Sequence, residues 1–367
     1  MKLTFIFLIG TLFFFATASA QKQVIDAVDH TPIPAASIFD ASGNMVGYTL
    51  SDGVFSEIPE SAYPITVHCI GYERLVIERA EDKVWEMKPS VYDLNEVVVT
   101  PAKCDVMKQI FYIREFFSMS NETDTVTVFS EHMADWFVPN SKDAKFGGDL
   151  SLRILESRQY SNYQLFGKDS ISTDPETNFP SMVEIFKPIG NKVTAPASFK
   201  EPGDAIKLYE ESGKSGMFRI KKQNDQTFTI IADGLADSKE HKMSPWPLKL
   251  LGFTMDFNQF YVTQVYRVND KGVYMLNDLI EASFVMQADG RGKYIRKALK
   301  SDKPIVVRGT IELYVVDRDC LSKEEAKEEY KKKPTGMKFM IPSTVPPLSE
   351  STRRLVERAN AEAKNKK

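Results

Sequence analysis

The chain has 367 residues, 43% hydrophobic and 11% aromatic, enough for packed cores and room for about two domains. Its formal charge of −3 excludes the global basic footprint that a nucleic-acid partner needs. Three cysteines, Cys69, Cys104 and Cys320, do not describe a disulfide framework; one bridge is open to them, and buried thiols are the expectation.

Residues 1–20 read as a signal peptide. Lys2 gives a short positive start, Leu3 to Ala16 is almost wholly apolar, and Ala18-Ser19-Ala20 is the small-residue pattern of a cleavage site, with Gln21 as the expected mature N-terminus. The apolar run is short for a span, no basic stop-transfer cluster follows it, and no cysteine stands at the cleavage point to take a lipid. The expectation is an exported protein, in the periplasm or associated peripherally with an outer membrane.

Residues 21–100 carry short β-prone runs, among them Val24-Ile25-Asp26, Ala36-Ser37-Ile38-Phe39 and Ile65-Thr66-Val67-His68-Cys69-Ile70. Pro32, Pro34, Ser42-Gly43-Asn44, Asp52-Gly53 and Pro64 separate them, a spacing that predicts an antiparallel β-sandwich. Asp52-Gly53 is a hairpin signal, because glycine accepts the positive φ of a tight turn.

The ordered set of Pro32-Ile33-Pro34-Ala35-Ala36-Ser37-Ile38, Thr49-Leu50-Ser51-Asp52-Gly53-Val54-Phe55, Ile70-Gly71-Tyr72-Glu73 and Leu94-Asn95-Glu96-Val97-Val98-Val99 resembles a known module. It is similar to the carboxypeptidase-regulatory-like (transthyretin-like) β-sandwich of Bacteroidetes-type cell-envelope proteins. The resemblance implies a sandwich of the seven-stranded type and an envelope location. It departs at Gln21-Lys22-Gln23, where the family commonly has a glycine, and at Ala35-Ala36, where it commonly has Gly-Ala.

Over 101–120 the period changes. Val106, Ile110, Ile113 and Phe117 recur at three- and four-residue spacing, which predicts a connecting helix. Residues 121–320 return to alternation, in Thr125-Val126-Thr127-Val128-Phe129, Met217 to Lys221, Thr227 to Ile230, Phe260 to Tyr266, Ala282 to Met286 and Thr310 to Val315. One apolar and one polar face predict a large antiparallel sheet or half-barrel with a solvated side.

Residues 321–367 read as a helical, Pro-interrupted tail. Ser322 with Glu325 has capping-box spacing, Ile341-Pro342 through Pro346-Pro347 is helix-incompatible, and Ser349 onward allows a second short helix too polar to bury much. The fold class is thus mostly β: sandwich, connecting helix, large sheet, C-terminal helices.

A carboxypeptidase-type zinc site needs His-x-x-Glu and a later histidine. Of His30, His68, His132 and His241, the nearest spacing is His132-Met133-Ala134-Asp135, which lacks the glutamate. Ser212-Gly213-Lys214-Ser215-Gly216 fits neither a phosphate loop nor a nucleophile elbow, and reads as a turn. His68 and Cys69, adjacent in a strand, point to opposite faces. No catalytic, cofactor or metal residue is therefore expected. The candidate ligand or partner surface is aromatic: Trp136, Trp246, Phe253, Phe257, Phe260 and Tyr261, weighed against a plain core role.

Three functions follow. The first is a non-enzymatic envelope protein, with a scaffolding sandwich, a binding sheet and another envelope protein as partner. The second is a carrier or chaperone for an apolar ligand or lipoprotein. The third is a hydrolase, which would need two carboxylates and a histidine in a cleft. An outer-membrane receptor is set aside, because the residues after Val99 are too few for a plug and a barrel.

Overall fold

The computed structural model describes residues 22–81, 83–90, 104–139, 152–173, 181–183, 198–201, 217–222, 226–236, 253–270, 272–275, 278–293, 303–332 and 336–365, with a few single positions between them. The expected signal peptide and Leu94–Val99 lie outside the described residues.

The N-terminal part is built of β1 (Gln23–Asp26), β2 (Ser37–Phe39), β3 (Met45–Tyr48), β4 (Ile65–His68), β5 (Leu75–Ile77) and β6 (Val84–Met87). An antiparallel sheet in the order β3-β2-β4-β5 packs with the parallel pair β1-β6 around Val24, Ile38, Phe55, Val67, Trp85 and Met87. Asp52-Gly53 forms the expected turn, with Leu50 N–H donating to Val54 O at 2.7 Å. Gly53 has φ +75°, and an added Cβ would lie 2.4 Å from Val24 O, so conformation and space both demand glycine.

The second part is one large sheet. Its strands are β7 (Val106–Ser120), β8 (Thr125–Pro139), β9 (Arg153–Leu165), β10 (Lys168–Ser172), β12 (Met217–Lys222), β13 (Thr227–Asp233), β14 (Phe253–Arg267), β16 (Leu279–Gly292) and β17 (Ile305–Leu321). β11 (Ser198–Phe199) and β15 (Tyr274–Met275) form a separate small pair. The order is β10-β9-β8-β7-β17-β16-β14-β13-β12, antiparallel throughout. The chain therefore enters at the centre, winds to one edge, resumes at the other and winds back until its last strand pairs with its first.

β7 overturns the connecting helix expected over 101–120. The predicted helical stripe is split by the strand: Ile113 and Phe117 join the main apolar core, whereas Val106 and Ile110 pack on the opposite side. Both sides of β7 are covered, so nothing forces a polar residue at every second position, and a chance spacing of three and four imitates a helix. The sheet accordingly begins at Val106, ahead of the expected 121. Beside β7, Gly309 of β17 lies under the Phe117 ring, where an added Cβ would fall 2.1 Å from the ring.

Cys104 and Cys320 form a disulfide where β7 and β17 meet, correcting the expectation of buried thiols; Cys69 is buried and takes no part in it. The pairing was hidden because 216 positions separate two residues that the central strand pair brings together. Replacing both with serine is expected to lower stability by about 2–4 kcal/mol. Alkylation of the denatured, unreduced wild type should modify Cys69 alone.

α1 (Lys323–Lys331) begins with the predicted box: Glu325 N–H donates to Ser322 Oγ at 3.2 Å, and Ser322 N–H to Glu325 Oε2 at 2.8 Å. α2 (Glu350–Asn365) is a full 16-residue helix that buries Ala359 and sets Leu355 and Val356 against Phe129, Tyr160 and Ile171. It buries more than its sparse apolar pattern suggested, because the sheet supplies the apolar partners.

Candidate functional site

The two faces of the sheet have different covers. Met107, Phe111, Val126, Ala134, Phe257, Phe260, Met286 and Ile311 share the apolar face with Val183, Phe199, Leu235 and Tyr274. The opposite face receives the rest of the chain. Ala35, Phe39 and Met45 of the sandwich meet Phe116, Tyr261 and Val285, with the Phe39 and Phe116 rings 5.5 Å apart. Met45 N–H donates to Ser118 Oγ at 3.0 Å. The segment after α1 crosses this face as a strap, packing Met337, Phe339 and Val345 on Tyr112, Met133 and Tyr314.

The alternation expected of the sheet is present, but its polar face is not solvated. Sandwich and strap cover it, so Arg114, Glu131, Glu281 and Glu312 are all under 8% exposed. Buried charges must be paired or hydrogen-bonded, and these are. Arg114 Nε donates to Tyr112 Oη at 3.1 Å and Arg114 Nη1 to the strap carbonyl of Pro346 at 2.6 Å. Tyr112 Oη donates to Glu131 in a short contact, and Tyr314 Oη donates to Glu312 Oε2 at 3.0 Å.

At the centre of this network His68 ends β4 of the sandwich. Its Nε2 lies 2.6 Å from Glu312 Oε1 of β17, a close polar contact not aligned as a linear hydrogen bond. Burial alone would push the Glu312 carboxyl up; the adjacent His68 ring, with Arg114 and the Tyr314 hydroxyl, holds it down to about 2. His68 Nδ1 is buried without a hydrogen-bond partner. Above the histidine opens a cleft of about 260 Å³, walled by the 68–73 connection, Glu281 and Tyr314 of the sheet, and Ser343, Thr344 and Pro346 of the strap.

A second buried pair stands on the apolar face. His132 Nε2 lies 3.3 Å from Glu115 Oε2. Glu115 also accepts from Ser181 Oγ at 2.7 Å, Met182 N–H at 3.1 Å and Val183 N–H at 2.9 Å. Burial pushes its carboxyl up, but the histidine and these donors outweigh burial and leave it below the ordinary range. Asp135, the partner in the zinc-like spacing, points to the other side of β8 and holds Arg153, with Nε donating at 2.8 Å. Among the described residues no group of three or more His, Cys, Asp or Glu is placed to hold a metal ion.

Among the described residues the predicted aromatic surface is divided between the two faces of the sheet, with Trp136, Phe257 and Phe260 on the apolar face and Tyr261 on the other. Phe257 and Phe260 are core residues of the apolar face, edge-to-face at 6.1 Å across a bulge in β14. Tyr261 points the other way, toward Tyr48 of the sandwich at 6.4 Å. Trp136 is partly buried, 6.2 Å from Phe111. Phe253 starts β14 opposite Gly292, while Trp246 and His241 lie outside the described residues. His30 is exposed in its turn, 3.6 Å from Glu86.

Sequence reading missed His68 with Glu312. The signal available was Arg114 and Glu312, charges set in the middle of strand-forming runs, but alternation made them look solvated.

No family model and no curated protein matches the chain. Among solved structures, one described as "lipid-protein interactions in lipovitellin" aligns at 8% identity and a TM-score of 0.28, over 60% of this chain and 26% of that one. The aligned part is about a quarter of that structure, and a likeness this slight carries no argument about fold or function. No helix among the described residues is long and apolar enough to cross a membrane, which says nothing of a β-barrel.

Proposed function

We propose that this chain is an exported, non-enzymatic envelope protein whose sandwich and sheet act as one rigid unit, with binding at the cleft between them. The observation that carries this reading is the junction itself. Sandwich, sheet and strap each contribute to the cleft walls, and the buried His68–Glu312 contact joins the first two beneath it. Export is supported by the apolar leader at 1–20 and by the Cys104–Cys320 bridge, since disulfides persist mainly in oxidising compartments. An apolar ligand carried on the sheet draws less support, because Phe257 and Phe260 are fully buried.

The test is fractionation followed by cross-linking. The mature chain should begin at Gln21 and travel with the envelope, and its cross-linked partner should be lost when Thr344→Trp fills the cleft. A cytosolic chain retaining residues 1–20 overturns the envelope reading. Partners that persist in the variant overturn the cleft as the binding element.

Hydrolysis is a second reading, favoured by one observation: His68, with Glu312 behind it and Glu281 on the same cleft, supplies a histidine and two carboxylates. Turnover of chromogenic esters or glycosides that His68→Asn abolishes would establish it.

A further inference from the structure

We propose that the junction cleft binds a small neutral polyhydroxylated ligand, one sugar residue of a glycan. This deepens the binding reading above and rests on it.

The cleft holds about 260 Å³, just below the roughly 300–1,000 Å³ of drug-sized sites and so matched to a smaller ligand. Its lining includes the hydroxyl residues Ser90, Ser343 and Thr344, the carboxylates of Glu73 and Glu281, and His68, and neither lysine nor arginine. An apolar ligand would strip water from the hydroxyls of Ser343 and Thr344 and leave His68 Nδ1 unpaired, which costs binding energy. An anionic ligand would meet Glu281 with no cation lining the cleft to offset the repulsion.

His68 narrows the choice further. Its Nδ1 is buried and unpartnered at the cleft, while Nε2 is engaged by Glu312. Nδ1 donates in the charged ring and accepts in the neutral ring that keeps its proton on Nε2. An ammonium group can only donate and a carboxylate can only accept, so each fails in one of these states. A hydroxyl does both from a single atom. It can meet Nδ1 in either state and also donate to Glu281. A sugar ring presents several such groups within the span of this cleft.

Saturation-transfer NMR on the intact mature chain tests the assignment, using glucose, galactose, mannose and N-acetylglucosamine against ethanolamine, acetate and glycylglycine. At least one sugar should bind, with a dissociation constant on the order of a millimolar. Binding should shift the His68 ring nitrogen resonances. His68→Asn should weaken it at least tenfold. Thr344→Trp, on the exposed strap and clear of the buried pair, should abolish it while leaving the thermal midpoint unchanged, which keeps the test decisive if His68→Asn fails to fold. Binding only to the amine, the acid or the dipeptide, binding to none, or sugar binding that Thr344→Trp leaves intact would each overturn the proposal. A cleft-dependent envelope cross-link without sugar binding would overturn the ligand class and leave the binding reading standing.

Discussion

Glu312→Gln is expected to lower the free energy of unfolding by about 3–5 kcal/mol, because it removes the buried carboxylate that faces the Arg114 charge and the His68 ring while leaving both in place. Urea denaturation of wild type and variant measures this, and a double variant with His68→Gln should lose less than the sum of the single losses. Acid provides a second readout. The folded carboxyl sits at about 2 against an ordinary 4.5, so folding is favoured when it is ionised. That contribution, about 3 kcal/mol, is fully present above the unfolded value and disappears as pH falls from 4.5 toward 2. The wild type should therefore lose stability across this window more steeply than Glu312→Gln. Parallel acid curves would show that the pair does not hold the sandwich to the sheet.

Glu115→Leu is expected to cost about 3–5 kcal/mol as well, for a different reason. The carboxylate accepts from Ser181 Oγ and from the N–H groups of Met182 and Val183, and it lies beside His132. Leucine fits the apolar face but leaves the buried Val183 N–H and the part-buried Ser181 and Met182 donors without this acceptor. The loss should appear first as local opening: limited proteolysis should cut near 181–183 in the variant at urea concentrations where the wild type is protected. Global unfolding with no preceding local cut would show that Glu115 supports the sheet rather than the segment resting on it.

Strands such as Thr125–Phe129 and Thr310–Val315 announced themselves because β8 and β17 alternate, and Ser322 with Glu325 marked the start of α1. β7 imitates a helix because it is covered on both sides, and β9, with polar residues such as Arg158, Gln159 and Asn162, carries no strong strand alternation. Aromatic richness pointed to Phe257 and Phe260, which serve the core. The polar residues of the junction looked like solvated surface.

A β-rich chain, a tight Asp52-Gly53 turn and a capped helix at 322 are written in the order of residues alone. These are local matters of backbone sterics, side-chain alternation and short-range hydrogen bonding. Tertiary structure alone decided that β7 and β17 meet at the centre of the sheet, that Cys104 reaches Cys320, and that the polar face is buried under sandwich and strap. Long-range pairing has no period along the chain, and whether a charged residue faces water or a partner depends on what lies across from it. His68 and Glu312 are unremarkable in sequence and become a site only when two sheets close on each other.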